Sequence, residues 1–343
     1  VSPSLAQADL EALDAQVERA LQAADPVDLT VLGYGEISCV LLTRSPVSDF
    51  ACKRLPPFEC AGRLEGYRNC FERYLKRLAE SGVGPAESEL RTIHRPDGRV
   101  IAYCVQPAFP PERIGHRYLA DCSPSEALLF FDAVLDAVVR CAGETLGLDG
   151  QVSNWVIPAG ATGAKEAREC ATRRDDTQEG ATGTKERREG DTQGGEVHEG
   201  KVRGSGLLYL DVTTPLMRSD QGEELLDTEL FMKSLPWALR GLVRRFFFRQ
   251  ILDKYYVPRG VVLDLLGNLY KEGLSRLIPG FLERANERLS EPIGEEEVRA
   301  YYQSDAWMWA LMQRLRRADR WWQRAIRRRT YPFLLPGEIR RNL

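Results

Sequence analysis

Three polar residues, far apart in the chain, are of the types a phosphoryl-transfer centre needs. Asp149 stands five residues before Asn154, and Asn154 opens the short apolar run Trp155-Val-Ile157. Asp211 closes a second run, Leu207-Leu-Tyr-Leu210. A transferring phosphoryl group is loosely bonded in its transition state, so catalysis rests on positioning and on neutralising charge. One carboxylate can accept or orient the proton of an attacking hydroxyl. A second carboxylate with an amide oxygen suits a hard cation such as Mg²⁺ between phosphates. Two carboxylates and an amide carry little weight alone. The chemistry also asks for a phosphate loop and a lysine upstream, in that order.

Both are present. Thr30-Val-Leu leads an apolar strand into Gly33-Tyr34-Gly35, and Ile37 to Thr43 reads as a second strand leaving it. Glycines let backbone N–H groups approach phosphate with no Cβ in the way, although two glycines also make an ordinary turn. Lys53 follows in mid-strand, within Phe50-Ala-Cys-Lys-Arg-Leu55. There its ammonium could clamp the phosphates that are not transferred, or face water from an edge strand.

The elements that must hold these groups read as follows. A helix is expected over 59–81, its apolar face traced by Leu64, Tyr67, Phe71, Leu75 and Leu78 and its end marked by Gly82. Glu65 and Glu72 lie two turns apart on it; either could fix the head group of Lys53, with Glu72 preferred. Strands are expected at 89–93 and 99–105, joined through Pro96-Asp-Gly98. An amphipathic helix over 3–23 precedes all of this. Ser123 caps a helix from Pro124 to about 146, apolar nearly all round and so expected to be buried; it delivers the chain to Asp149.

Between the two runs of the first paragraph the composition changes. Gly160-Ala-Thr-Gly-Ala-Lys-Glu recurs at Gly180-Ala-Thr-Gly-Thr-Lys-Glu, and Asp176-Thr-Gln at Asp191-Thr-Gln, with almost no apolar residues. This is a low-complexity insertion, 158–205, expected to be disordered. Excising it would leave a tight hairpin that presents Asn154 and Asp211 at one end. Beyond Glu223 the chain reads as helices at 223–233, 236–252, 258–270, 273–288, 295–303 and 305–329. Asp264 and Asn268, one turn apart, are expected as a surface pair, with the cleft as the other possibility. The last helix carries eight arginines, from Arg314 to Arg329, beside Trp321 and Trp322. A solvated basic face with the indoles packed inward is the expected reading; contact with nucleic acid or anionic lipid is the other.

Composition bounds the rest. At 343 residues and 43% hydrophobic the chain can bury a substantial core. A net charge of −3 argues for no polyanionic partner, so nucleic acid is not expected. No apolar run is long enough to span a bilayer and no basic-then-apolar leader pattern is seen, so a cytoplasmic location is expected. Eight scattered cysteines without a CxxC pair read as reduced core thiols, and three histidines make a histidine-based zinc site improbable.

With its parts in this order, over about residues 28–215, the chain resembles the protein-kinase-like superfamily. It looks most similar to the small-molecule branch of aminoglycoside and choline phosphotransferases. The resemblance rests on Gly33-Tyr-Gly35, Lys53, Asp149-Gly-Gln-Val-Ser-Asn154 and Asp211. It implies an α+β, two-lobed fold: an N-terminal helix (1–27), a mostly β nucleotide-binding lobe (28–106) and a mostly α lobe (107–343). ATP and Mg²⁺ would be the cofactors and a small hydroxylated molecule the acceptor. Asp149 would be the base, Asn154 and Asp211 the magnesium ligands, Lys53 the phosphate contact. Gln106, where the chain leaves the sheet before Pro107, would lie at a hinge whose backbone meets adenine. The family's usual His two residues before the catalytic Asp is here Gly147, which bears on turnover. Val212-Thr213 replaces the Phe-Gly of protein kinases, and no Ala-Pro-Glu follows, which argues against a protein substrate. A catalytically silent nucleotide- or partner-binding module is the alternative, and a protein kinase a weaker one.

Overall fold

The computed structural model describes residues 4–26, 28–35, 39–46, 48–158, 206–233, 235, 240–241 and 248–336. Apart from Pro158, the expected insertion lies outside the described residues, as does much of the helix expected over 236–252. The described chain is a mixed α+β protein, with an antiparallel sheet in its N-terminal part and helices in its C-terminal part.

Five strands make that sheet: β1 (Val31–Tyr34), β2 (Cys39–Arg44), β3 (Asp49–Arg54), β5 (Glu89–His94) and β6 (Val100–Pro107), in the order β1-β2-β3-β6-β5. Helix α1 (Gln7–Ala23) covers one face and α2 (Ala61–Glu80) the other. Because successive strand side chains leave on opposite faces, the pleat of β3 sorts its residues. Phe50 and Cys52 pack with Leu10, Leu13 and Val17 of α1. Lys53 lies opposite Cys104 of β6, whose side chain belongs to the core formed with α2. Arg54 goes back to the α1 side, 2.8 Å from Glu18 and 3.8 Å from the buried Asp14. Asp14 also accepts from Tyr103 Oη at 2.8 Å and pairs with Arg95. A slip of one residue in this register would send Arg54 to the Lys53 face and expose the lysine side to α1.

A second, small sheet follows: β4 (Gly84–Pro85) pairs in parallel with β8 (Leu208–Tyr209), which pairs antiparallel with β7 (Trp155–Val156). Helix α3 (Gly115–Asp121) leads to α4 (Pro124–Cys141), where Ser123 and Glu126 form a reciprocal capping box. Helix α4 stops at Cys141, short of the expected 146. It is also one-sided rather than buried all round: Phe131, Val134 and Val138 are in the core, but Leu129 and Val139 face solvent.

The helices that follow are α5 (Thr228–Met232), α6 (Phe248–Asp253), α7 (Pro258–Lys271), α8 (Ile278–Asn286) and α9 (Glu295–Ala325). Two expectations change here. The helix expected from 223 starts only at Thr228, because Arg218 and Glu224 bridge across the preceding turn. The pieces expected at 295–303 and 305–329 are one helix; Ser304-Asp305 contains neither glycine nor proline to break it. Tyr331, Phe333 and Leu335 then bury themselves as the chain returns beside Val17, Leu21 and Arg54. Cys39, Cys52, Cys70, Cys104 and Cys141 are buried free thiols. Burial pushes each of these thiols up to about 11 or 12, which makes them unreactive. Among the described residues no helix is long and apolar enough to cross a membrane.

Candidate active site

Lys53 and Asp211, 158 residues apart, meet as an ion pair: Lys53 Nζ donates to Asp211 Oδ1 at 2.7 Å. Both side chains stay about one-fifth exposed, so a ligand could reach them from solvent. The strand pleat aims the lysine, and the β7–β8 hairpin aims the carboxylate. In that hairpin Trp155 lies opposite Tyr209, and Leu210 N donates to Asn154 O at 2.8 Å. Asn154 and Asp211 therefore leave the same end of the hairpin, as the sequence spacing requires. Thr213 Oγ1 adds a contact to Asp211 Oδ1 at 3.3 Å.

The loop 147–154 is fixed by its own polar groups. Asp149 N donates to Tyr209 Oη at 3.2 Å, and Gln151 N donates to Asp149 Oδ1 at 3.1 Å. Asn154 Nδ2 donates to the Asp149 carbonyl at 3.3 Å, which leaves the amide oxygen as the group available to a cation. Burial first, then the charges of Asp264 and Asp211, push the Asp149 carboxyl up to about 7. That places the half-buried carboxylate where a general base is most useful.

Glycine at 147 has a steric cause. A Cβ there would lie 3.0 Å from Leu216 Cβ, 3.1 Å from the Tyr255 carbonyl and 3.2 Å from the Tyr256 ring. Tyr74 Oη donates to the Gly147 carbonyl at 3.1 Å, and Gly147 N donates to Leu216 O at 2.8 Å. Leu216 and the Tyr255-Tyr256 segment would have to shift for any side chain here, and the loop is braced by backbone bonds and a tyrosine.

Beneath the loop lies a network that sequence reasoning missed. Asp264 on α7 is 2% exposed and Asn268 is 7%, so they are not a surface pair. Lys254 Nζ donates to Asp264 Oδ1 at 2.7 Å and to Tyr301 Oη at 2.9 Å, and Tyr301 Oη also bonds Asp264. Asn268 Nδ2 donates to Asp264 Oδ2 at 3.3 Å, and Gln151 Nε2 reaches the same oxygen at 3.4 Å. Burial disfavours the charge on Lys254, but Tyr255, Asp264 and Tyr301 more than offset it and hold the ammonium well above the ordinary lysine range. The four-residue spacing of Asp264 and Asn268 on an otherwise apolar helix was the signal available.

Several expected residues are placed differently. Glu72 is exposed, and Glu65 is exposed and 3.7 Å from Arg68; neither pairs with Lys53. The α2 face turned toward the site carries Tyr67 and Tyr74 instead, and Tyr67 Oη donates to Thr213 O at 2.8 Å. Gln106 is in the β3–β6 ladder opposite Ala51, and its side chain donates to Ser88 Oγ at 2.9 Å and to Leu210 O at 3.0 Å. Its side chain thus ties this strand end to the segment that carries Asp211. Gly33 faces Val40, which in turn faces Lys53, so the expected phosphate turn and the lysine share one row of the sheet. The ladder is irregular between Val31 and Gly33, nothing crowds Gly33, and Tyr34 and Gly35 are exposed; the tip of the turn, 36–38, lies outside the described residues.

Among the described residues no three His, Cys, Asp or Glu side chains gather as a metal cage. Mg²⁺ carried by a nucleotide needs none, since it is commonly held by one or two carboxylates plus phosphate oxygens and water. The donor set of Asp211 and the Asn154 amide oxygen fits that use.

A family model described as a family of unknown function, DUF6206, matches residues 12–162 and 197–320, and the chain belongs to that family. No curated protein matches it.

Proposed function

We propose that this member of DUF6206 is an ATP- and Mg²⁺-dependent phosphotransferase of the protein-kinase-like superfamily that phosphorylates a small hydroxylated acceptor. The observation that carries the reading is the 2.7 Å contact of mid-strand Lys53 with Asp211, at the hairpin end that also presents Asn154, beside an Asp149 raised to about 7. Two features support the fold part of the reading. The five-stranded antiparallel sheet of the N-terminal part, followed by helices in the C-terminal part, agrees in kind with the mostly β and mostly α lobes the resemblance implies. The catalytic-loop and metal-ligand candidates then flank one short hairpin.

In this reading Lys53 releases Asp211 and binds the phosphates that stay behind. Asn154 and Asp211 would hold Mg²⁺, which supplies neutralisation of the charge between the β- and γ-phosphates. Asp149 takes the acceptor's hydroxyl proton as the new oxygen–phosphorus bond forms and the bond to the β–γ bridging oxygen breaks. The loop's fixed backbone and the Asp264 network below it keep Asp149 in place, so little reorganisation accompanies the transfer.

The second reading, a silent nucleotide-binding module, draws on one specific observation: no helix glutamate steadies Lys53. The two separate by experiment. Thermal stabilisation by ATP with Mg²⁺, and ATP turnover in a metabolite extract, are compared for wild type, Lys53→Ala, Asp211→Ala and Asp149→Ala. The phosphotransferase reading expects metal-dependent stabilisation lost in Asp211→Ala, and turnover lost in all three variants. Stabilisation without turnover selects the silent module. Absence of any metal-dependent ATP effect rejects both.

A further inference from the structure

We infer that the C-terminal end of α9 is a docking surface for anionic phospholipid bilayers. The sequence expectation of indoles packed inward fails here: Trp321 is 62% exposed, Trp322 is 40%, and Ile326 beside them is 53%. Around them Arg314, Arg324, Arg327, Arg328 and Arg329 are exposed. Over 314–329 eight arginines face a single acid, Asp319, which is buried, in a chain whose overall net charge is −3. The helix dipole favours some basic residues at a C-terminus, but it gives no reason to leave two tryptophans and an isoleucine in water.

The same end holds a cavity of about 420 Å³ lined by Ala23, Ala24, Arg317, Arg320, Trp321 and Arg324. Burial, together with the like charges of Arg317 and Arg324, lowers the Arg320 guanidinium below its usual range. Convergent cations that disfavour one another are relieved by an anion, and a lipid phosphate is one that arrives with a surface for the indoles. Tryptophan favours the headgroup level of a bilayer, and arginines on the same helix end reach the phosphates around it. Exposed Ile326 decides between anionic partners. It gains from the boundary of the acyl chains, whereas neither a phosphodiester backbone nor a base stack has use for it. This inference is independent of the proposed activity.

The test is co-sedimentation of the full chain with vesicles of phosphatidylcholine alone, or of phosphatidylcholine with about one-third phosphatidylserine. Binding is expected only to the anionic vesicles, with loss at high salt. With each basic residue near the surface contributing about a fivefold factor, Arg324→Gln with Arg327→Gln is expected to weaken partition about 30-fold. Trp321→Ala with Trp322→Ala is expected to abolish the vesicle-induced blue shift of tryptophan emission. All these side chains are exposed, and matching thermal melts confirm that the variants fold. No binding to anionic vesicles overturns the inference, as does binding that neither double variant weakens. Retention of a mixed-sequence single-stranded RNA with no vesicle binding overturns it in favour of nucleic acid.

Discussion

Replacing the proposed base should make the protein more stable, by an amount that grows from about pH 4 and levels off above about pH 7. In the folded chain burial and the charges of Asp264 and Asp211 raise Asp149 from its ordinary value to about 7. Between about pH 4 and 7 the folded state therefore holds a proton that the unfolded chain releases. Stability falls as pH rises through that window, and the penalty is complete above about pH 7. Three pH units correspond to at most about 4 kcal/mol. Asp149 is only half-buried, so water can enter around the ionised carboxylate, and about 2 kcal/mol is the expected size. Asp149→Asn keeps the shape and an acceptor for Gln151 N while removing the charge. Thermal melts at pH 5 and pH 8 should show only about one-third of the variant's full advantage at the lower pH. At the higher pH it should melt about 3 °C above wild type, with turnover gone. A variant that is less stable at pH 8, or whose advantage does not grow with pH, would refute the placement of Asp149 in a charge-poor, acid-flanked pocket.

The same geometry sets three further outcomes. Gly147→His, which introduces the residue the resemblance would place there, should destabilise by about 2–3 kcal/mol in denaturant unfolding, because Leu216, Tyr255 and Tyr256 already crowd a Cβ at this position; unchanged stability would show that space to be free. Glu72→Gln should leave ATP binding and turnover at the wild-type level, since the side chain is exposed, while Tyr67→Phe should lower both by loosening the Thr213 segment next to Asp211. Asp264→Asn removes the neighbouring charge that acts most on Asp149 but keeps an oxygen for Lys254 and Tyr301. The acid limb of kcat/KM should move to lower pH in that variant, and an unmoved limb would deny the coupling.

What the sequence made legible, and what it hid, divides along one physical line. Strand positions were readable because period-two alternation and an apolar run leave few choices: Lys53 in mid-strand, and Asp211 closing a buried run, both stand where the pattern put them. The hairpin around the insertion was readable for the same reason, since Trp155-Val156 and Leu208-Tyr209 must find one another to bury their backbone groups. Partners were not readable. Glu72 looked suited to Lys53 because charge complementarity names candidates, but a helix face is chosen by burial. Leu64, Tyr67, Phe71, Tyr74 and Leu78 turn α2 so that its glutamates face solvent. Tyrosine was overlooked because it reads as core, while its hydroxyl let α2 pack apolar against the sheet and still hold the Thr213 and Gly147 carbonyls.

Asp264 was misplaced for the converse reason. A lone acid on an apolar helix suggests a solvated edge, because burying a carboxylate is costly unless partners satisfy it. Those partners, Lys254 and Tyr301, come from outside the helix, and no periodicity within α7 could announce them. The consequence reaches function: a satisfied buried acid beneath the loop adds repulsion to Asp149 without making it mobile. The chain can thus raise the pKa of its proposed base while keeping that base in place, using a group buried beneath the loop.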